Sequence, residues 1–295
     1  MIQLQPFINY IQFEKRYSQH TVRAYTDDLQ QFFLFLEEDY GPTPLPEIKV
    51  TFIRTWLASL KEQGLTAKSL NRKISTLKSF FKFHLRQGSI SADPTATIIM
   101  PKIHKRLPAF VTEKDMDRLF SQITFPEDWN GITERLLLQI LYQTGLRLSE
   151  LINLKPGQVD SYTNTIKILG KGNKERVLPC NKELIEEIIV YLQAKKVQLP
   201  EADKTVVLVD AKGKALYGRW VYAVVTKYLA QVTTLEKRSP HVLRHTFATH
   251  LVNNGAELNA VKELLGHSSL AATQVYTHNT IDRLKEVFKK AHPKG

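Results

Sequence analysis

The chain has 295 residues, 43% of them hydrophobic, which is enough to bury more than one core and excludes a disordered polyelectrolyte. Its 41 lysines and arginines against 29 acids leave a formal charge of +12. That excess favours a polyanionic partner, nucleic acid being the commonest, although a basic protein without one has the same total. Cys180 is the single cysteine, so an intramolecular disulfide is excluded; no run approaches the ~20 apolar residues of a membrane span, and a cytoplasmic protein with no membrane insertion is expected.

From Gln3 to Gln87 the apolar residues recur at helical spacing, as in Phe7, Tyr10 and Ile11 and again in Leu29, Phe32, Phe33 and Leu36. Four helices are expected there, with Gly41-Pro42-Thr43-Pro44 dividing the second from the third and Gly64 the third from the fourth, which starts near Thr66. Residues 1–88 thus read as one all-helical domain. The fourth helix holds Lys68, Arg72, Lys73, Lys78, Lys82 and Arg86 in a stretch without an acid between Glu62 and Asp93, opposite an apolar stripe of Leu70, Ile74, Leu77 and Phe81. Basic helix faces are usually just solvated, but acids normally alternate with the bases; here their absence points to contact with phosphates. Residues 89–108 lose the period and gather Pro94, Pro101 and Pro108 with Lys102, Lys105 and Arg106, the composition of an extended basic linker. Two basic domains joined in this way can close on a duplex like a clamp.

A second domain is expected over residues 109–295. Thr112 is a natural N-cap with Asp115 in the first turn, and a long apolar helix from Ile132 to Thr144 should stop at Gly145. Thr165–Leu169 and Glu175–Leu178 read as two strands of a hairpin whose tip carries Lys171, with Val206–Val209 as a possible third strand and helices over 181–198 and 218–232. The fold class is therefore mainly α, with one small antiparallel sheet.

Four segments punctuated by glycine or proline stand out: Thr144–Glu150, Gly170–Arg176, Ser239–His250, and Leu265-Gly266-His267 followed by Val275–His278. In the third, Ser239 suits an N-cap and Pro240 a first helical position, so His241 and Arg244 should project side by side from an opening turn that suits an anionic oxygen. The i, i+4 pair His241 and His245, with His250 nearby, also fits a zinc helix. No glutamate follows His241, however, and Arg244 would repel a metal, so His245 and His250 read as packing or capping residues. Arg147 follows a helix-stopping glycine and is placed for a cleft or for a salt bridge to Glu150; the two are compatible, because an acid that fixes an arginine's fork preorganises it for phosphate. Taken alone, Lys171 is a solvent-exposed turn residue, and Tyr276, on a short helix opened by Ser268-Ser269, is a half-buried aromatic with one hydrogen bond. The tail from Thr280 to His292 is amphipathic, with Ile281, Leu284, Val287 and Phe288 on one stripe.

Together, Thr-Gly-Leu-Arg-Leu-Ser-Glu-Leu, Gly-Lys-Gly-Asn-Lys-Glu-Arg, His-Val-Leu-Arg-His-Thr-Phe-Ala-Thr-His, Leu-Leu-Gly-His and Val-Tyr-Thr-His resemble the boxes of tyrosine recombinases of the phage-integrase family, with the closest likeness to Xer-type enzymes. The boxes run in order from 144 to 278, and the N-terminal half resembles the family's core-binding domain. The resemblance implies a site-specific DNA recombinase in which Arg147 and Arg244 clamp the scissile phosphate, Tyr276 attacks it, Lys171 protonates the leaving oxygen, and His241 and His267 assist. Glu150 matches the acid that supports the first arginine. No cofactor or metal is implied, and the partners are a double-stranded recombination site and a homo- or hetero-tetramer on two duplexes. In the family the last helix docks on a neighbouring protomer; the amphipathic tail here suits that or simple capping of its own domain. A role in chromosome dimer resolution would add a second Xer recombinase and an FtsK-type DNA translocase. The alternatives are a mobile-element integrase or invertase, a type IB topoisomerase-like enzyme, a non-catalytic DNA-binding protein and a metal-dependent nuclease. Lys155-Pro-Gly-Gln-Val-Asp160 replaces the family's frequent tryptophan-and-acid pattern, a departure that touches packing only.

Overall fold

Side-chain caps set where the helices begin. The computed structural model describes residues 4–103, 109–169, 175–266 and 278–294, with backbone alone for 278–283, and it divides into two units, Met1–Arg106 and Leu107–Gly295. In the first unit a helix α1 (Leu4–Asn9) runs into a wide π-helical turn (Tyr10–Glu14). Ser18 then caps α2 (Gln19–Tyr40) by accepting the Thr21 N–H at 3.2 Å. α3 spans Val50–Glu62, and Thr66 opens α4 (Ala67–Arg86), accepting from the Ser69 N–H. The periodic apolar residues meet in a core of Phe7, Ile11, Leu29, Phe32, Ile53, Trp56, Leu77, Phe80 and Phe81. Rings contribute offset and edge contacts there, such as Phe32 on Trp56 at 5.0 Å and Phe7 on Phe80 at 5.4 Å.

Two expectations for this unit are corrected. Lys73, placed with the phosphate-facing residues, is buried: its ammonium donates to Asp28 Oδ1 at 2.8 Å and to Gln31, and lies over the Trp56 ring. Asp28 is itself buried and also accepts from Arg72 and from Thr76, so Lys73 neutralises an interior acid. Nor is the stretch after Gln87 simply an extended linker. Ile90 and Ile98 enter the first core, and Asn71 donates to the Pro101 carbonyl at 2.9 Å.

In the second unit Thr112 caps α5 (Glu113–Ser121), and Asp128 caps α6 (Trp129–Thr144), which is buried almost all round. α6 ends where expected: Gly145 is left-handed (φ 60°), and a Cβ there would lie 2.5 Å from a Phe247 ring carbon. A single turn of helix, α7 (Leu148–Ile152), leads to β1 (Val159–Asp160), β2 (Thr165–Leu169) and β3 (Glu175–Pro179), an antiparallel sheet in that order. Val206–Val209 is not its third strand; only Val209 bridges, to Ala215, and the edge place belongs to β1. Then come α8 (Lys182–Gln198), α9 (Gly218–Val232), α10 (Pro240–Asn253), α11 (Leu258–Leu265) and α12 (His278–Ala291).

α10 lies along α6 through Leu243, Phe247 and Leu251, all buried. Its His250 is a packing residue, hydrogen-bonded to the Tyr142 hydroxyl (3.0 Å) and the Val111 carbonyl (2.9 Å). Cys180 is buried, and burial pushes its thiol up to about 12, so it behaves as a small apolar side chain. Of the C-terminal helix, Leu284, Phe288 and Ala291 are buried in the second core, with Val287 packed against it. Among the described residues no helix is long and apolar enough to cross a membrane.

Candidate active site

The site is assembled where α6, α7, β3, α10 and α11 end or begin. Gly145 turns the chain out of α6, and Arg147 occupies the N-cap of α7, with Glu150 in the third helical position. The Glu150 carboxylate accepts the Arg147 backbone N–H at 2.8 Å and its Nη1 at 2.8 Å, so one acid fixes both the backbone and the side chain of the arginine.

Arg176 on β3 meets the same carboxylate with both prongs, Nη1 to Oε1 at 2.8 Å and Nη2 to Oε2 at 2.7 Å. It was not singled out from the sequence, although it ends the Gly170–Arg176 segment. The register supplies the missing signal: Arg176 pairs with Ile168 and shares the inward face of β3 with Leu178, and a charge on that face needs a buried counter-charge. Arg244, the fifth residue of α10, is buried and donates through Nη1 to the Gly145 carbonyl at 2.6 Å.

Each of the three arginines then takes one of three successive carbonyls at the end of α11. Arg176 Nε donates to Leu264, Arg244 Nη2 to Leu265, and Arg147 Nη2 to Gly266 at 2.8 Å. Gly266 is left-handed (φ 63°), and a Cβ on it would come 3.1 Å from Arg176 Cδ. These carbonyls are the orphans of a helix C-terminus, where partial negative charge accumulates.

Two guanidinium groups grip one carboxylate and a third, Arg244, is held beside them by carbonyls, so the cluster carries a surplus of positive charge. Burial works to raise the Glu150 pKa, but hydrogen bonds from Arg176 and Arg147 outweigh it and hold the carboxyl at about 2. Arg244 is lowered to about 10, first by burial and then by the like charges of Arg147 and Arg176. Arg147 is the accessible member: its side chain is 35% exposed, against 4% for Arg176.

Of the residues expected at the site, Arg147, Glu150 and Arg244 are brought together. His241, three residues before Arg244 in the first turn of α10, is exposed. Lys171, His267 and Tyr276 lie outside the described residues, as do Lys105 and Arg106. Ser239 holds the N-cap position, but its Oγ makes no capping bond. On α4, Lys68, Arg72, Lys82 and Arg86 are exposed and Lys78 is half-buried; Lys102 is exposed.

A family model described as "Phage integrase family" matches residues 109–283, and one described as "Phage integrase, N-terminal SAM-like domain" matches residues 4–88. The chain belongs to the phage integrase family. Curated relatives of this tyrosine recombinase include tyrosine recombinase XerC of Chlorobaculum parvum, 37% identical over 98% of this chain and 94% of the relative. XerC of Oceanobacillus iheyensis is 38% identical over 98% and 95%, and XerC of Staphylococcus aureus 37% over 98% and 96%. Among solved structures, XerH site-specific recombinase bound to a difH substrate aligns with a TM-score of 0.68 at 25% identity, covering 90% of this chain and 78% of that one. The Tn1549 transposon integrase in complex with transposon right end DNA shares the fold (TM-score 0.70, 22% identity, 96% and 98% covered).

Proposed function

We propose that this recombinase cuts and rejoins double-stranded DNA at a specific site through a 3′-phosphotyrosyl bond on Tyr276, with residues 1–88 as core-binding domain and 109–295 as catalytic domain. The observation that carries the reading is the convergence of Arg147 and Arg244, both preorganised, on one cluster with surplus positive charge. A phosphodiester repels nucleophiles, and its nonbridging oxygens gain charge as phosphorus becomes five-coordinate; two guanidinium groups stabilise that charge. By analogy with arginine fingers, losing either clamp costs roughly 10³–10⁵ in rate.

The Tyr276 oxygen attacks phosphorus, the bond from phosphorus to the 5′ oxygen breaks, and Lys171 protonates that oxygen while His241 and His267 assist proton movement and phosphate binding. One ester replaces another, so a 5′ hydroxyl can reverse the step and ATP is not consumed. Lys68, Arg72, Lys78, Lys82 and Arg86, with Lys102, Lys105 and Arg106, hold the flanking phosphates. Four subunits, identical or of two kinds, act on two duplexes. The XerC relatives support a Xer-type role, to which this reading adds chromosome dimer resolution in the cytoplasm, with a second Xer recombinase and an FtsK-type translocase as partners.

The test is Tyr276→Phe on nicked suicide duplexes. Retained DNA binding without a covalent adduct is expected, and peptide mapping of the wild-type adduct should return Tyr276. Cleavage by the variant at the wild-type rate removes the tyrosine from its role.

A further inference from the structure

Arg176 sits deeper than the arginines expected on the phosphate, its side chain 4% exposed. Its planar fork spans both Glu150 oxygens, and its remaining Nε–H reaches the Leu264 carbonyl at 3.1 Å. Glu150 Oε1 therefore receives Arg176 Nη1 and Arg147 Nη1 together, each at 2.8 Å. A carboxylate held on both oxygens cannot swing, and the half-exposed Arg147 inherits that rigidity. On its other side Arg176 packs against Gly266, whose missing Cβ leaves room for the arginine's methylenes and whose carbonyl receives Arg147. One guanidinium thus ties β3 to α7 and to the end of α11, the residues directly before His267.

We propose that Arg176 is a positioning residue for strand cleavage: through Glu150 it fixes the rotamer of Arg147, and through the Leu264 carbonyl it fixes the end of α11. The assignment rests on the reading of Arg147 as a phosphate clamp. A lysine keeps the charge but not the fork, because one ammonium cannot span two carboxylate oxygens and a carbonyl at these angles.

The experiment compares full-length wild type, R147K, R176K, R176Q, E150Q and the E150Q/R176Q pair on a nicked suicide duplex carrying a site selected from random sequence on the wild-type protein. Each is run with an ordinary scissile phosphate and with a methylphosphonate, which lacks the charge that Arg147 meets. With melting temperature and DNA affinity held, R176K and R176Q should form the covalent adduct roughly 10–100-fold more slowly. The deficit should shrink on the methylphosphonate, and the E150Q/R176Q pair should be no slower than the worse of its two single variants. A folded R176K that cleaves at the wild-type rate overturns the assignment, and so does a deficit equal on both substrates. Should R176Q melt below the assay temperature, R176A with added guanidinium ion takes its place: restored cleavage supports the positioning role, and none overturns it. If R147K cleaves normally, the clamp reading fails and takes this assignment with it; if R147K is slow while the Arg176 variants are not, only the positioning role falls.

Discussion

Replacing Glu150 with glutamine removes one charge and little volume from the centre of the arginine cluster, which makes it a clean electrical perturbation. The carboxylate receives four N–H donors, two from Arg147 and two from Arg176, and its pKa falls from an ordinary 4.5 to about 2. A carboxyl depressed on folding contributes stability that is complete above its unfolded pKa and is lost as pH falls through its folded one. The depression corresponds to about 3 kcal/mol at pH 7 and about half of that at pH 3. Glu150→Gln should therefore destabilise the second unit by about that amount at neutral pH, and the gap should narrow on acidification below about pH 4.5. Urea titrations followed by Trp129 and Trp220 fluorescence, in a Trp56→Phe background, read the second unit alone. A gap that stays constant from pH 7 to pH 3 would refute the electrostatic account and leave only lost packing. The same substitution should slow covalent adduct formation, because Arg147 loses the partner that holds its backbone and its side chain.

Gly145→Ala should lower stability by about 1–3 kcal/mol in the same titrations, since the residue is left-handed and the new methyl meets Phe247. Lys73→Met should cost the first unit about 3–5 kcal/mol by leaving Asp28 short of a counter-charge, read by Trp56 fluorescence, without changing the salt dependence of DNA binding. Lys82→Ala should do the reverse, sparing stability and reducing the salt slope by about 1. His292 is held at about 3 chiefly by burial, helped by the charges of His250 and Lys294 and opposed by its hydrogen bond to the Tyr142 carbonyl. Its stability contribution is complete above the ordinary histidine value and is lost as pH falls, by about 2 kcal/mol between pH 7 and pH 5. His292→Phe should flatten that part of the pH profile of unfolding.

The helix boundaries were legible because local chemistry fixes them: Thr66, Thr112 and Gly145 cap or stop helices using only neighbouring residues. Lys73 was misplaced although the spacing held the answer. It lies three residues after Leu70 and four before Leu77, on the apolar stripe itself, but a lysine there makes sense only once Asp28 arrives from α2. Ile90 and Ile98 were lost among prolines for a similar reason, since two isolated apolar residues have no period and find their core only in three dimensions. The edge strand β1 is two residues long, too short to alternate, whereas Val206–Val209 looked like a strand because a buried extended run is apolar with or without a partner. At the site, Arg147, Glu150 and Arg244 followed from motif residues. Arg176 required knowing that its strand turns that side chain inward onto Glu150 from another element.

A cluster proposed to receive phosphate must also survive without it, and it does so through the choice of side chain and the placement of α11. Three cations and one anion repel on balance, and this repulsion adds to the larger effect of burial in lowering Arg244 to about 10. A lysine depressed equally from its reference value would titrate near ~8 and lose part of its charge at neutral pH, whereas arginine remains fully charged. The remaining repulsion is relieved by the negative end of α11, whose last carbonyls at Leu264, Leu265 and Gly266 are divided one to each guanidinium. A helix C-terminus thus stands in the cluster where negative charge is needed, and the chain leaves it toward His267 and Tyr276. The arginines' orientation and the starting point of the segment that follows α11 are consequently set by the same hydrogen bonds.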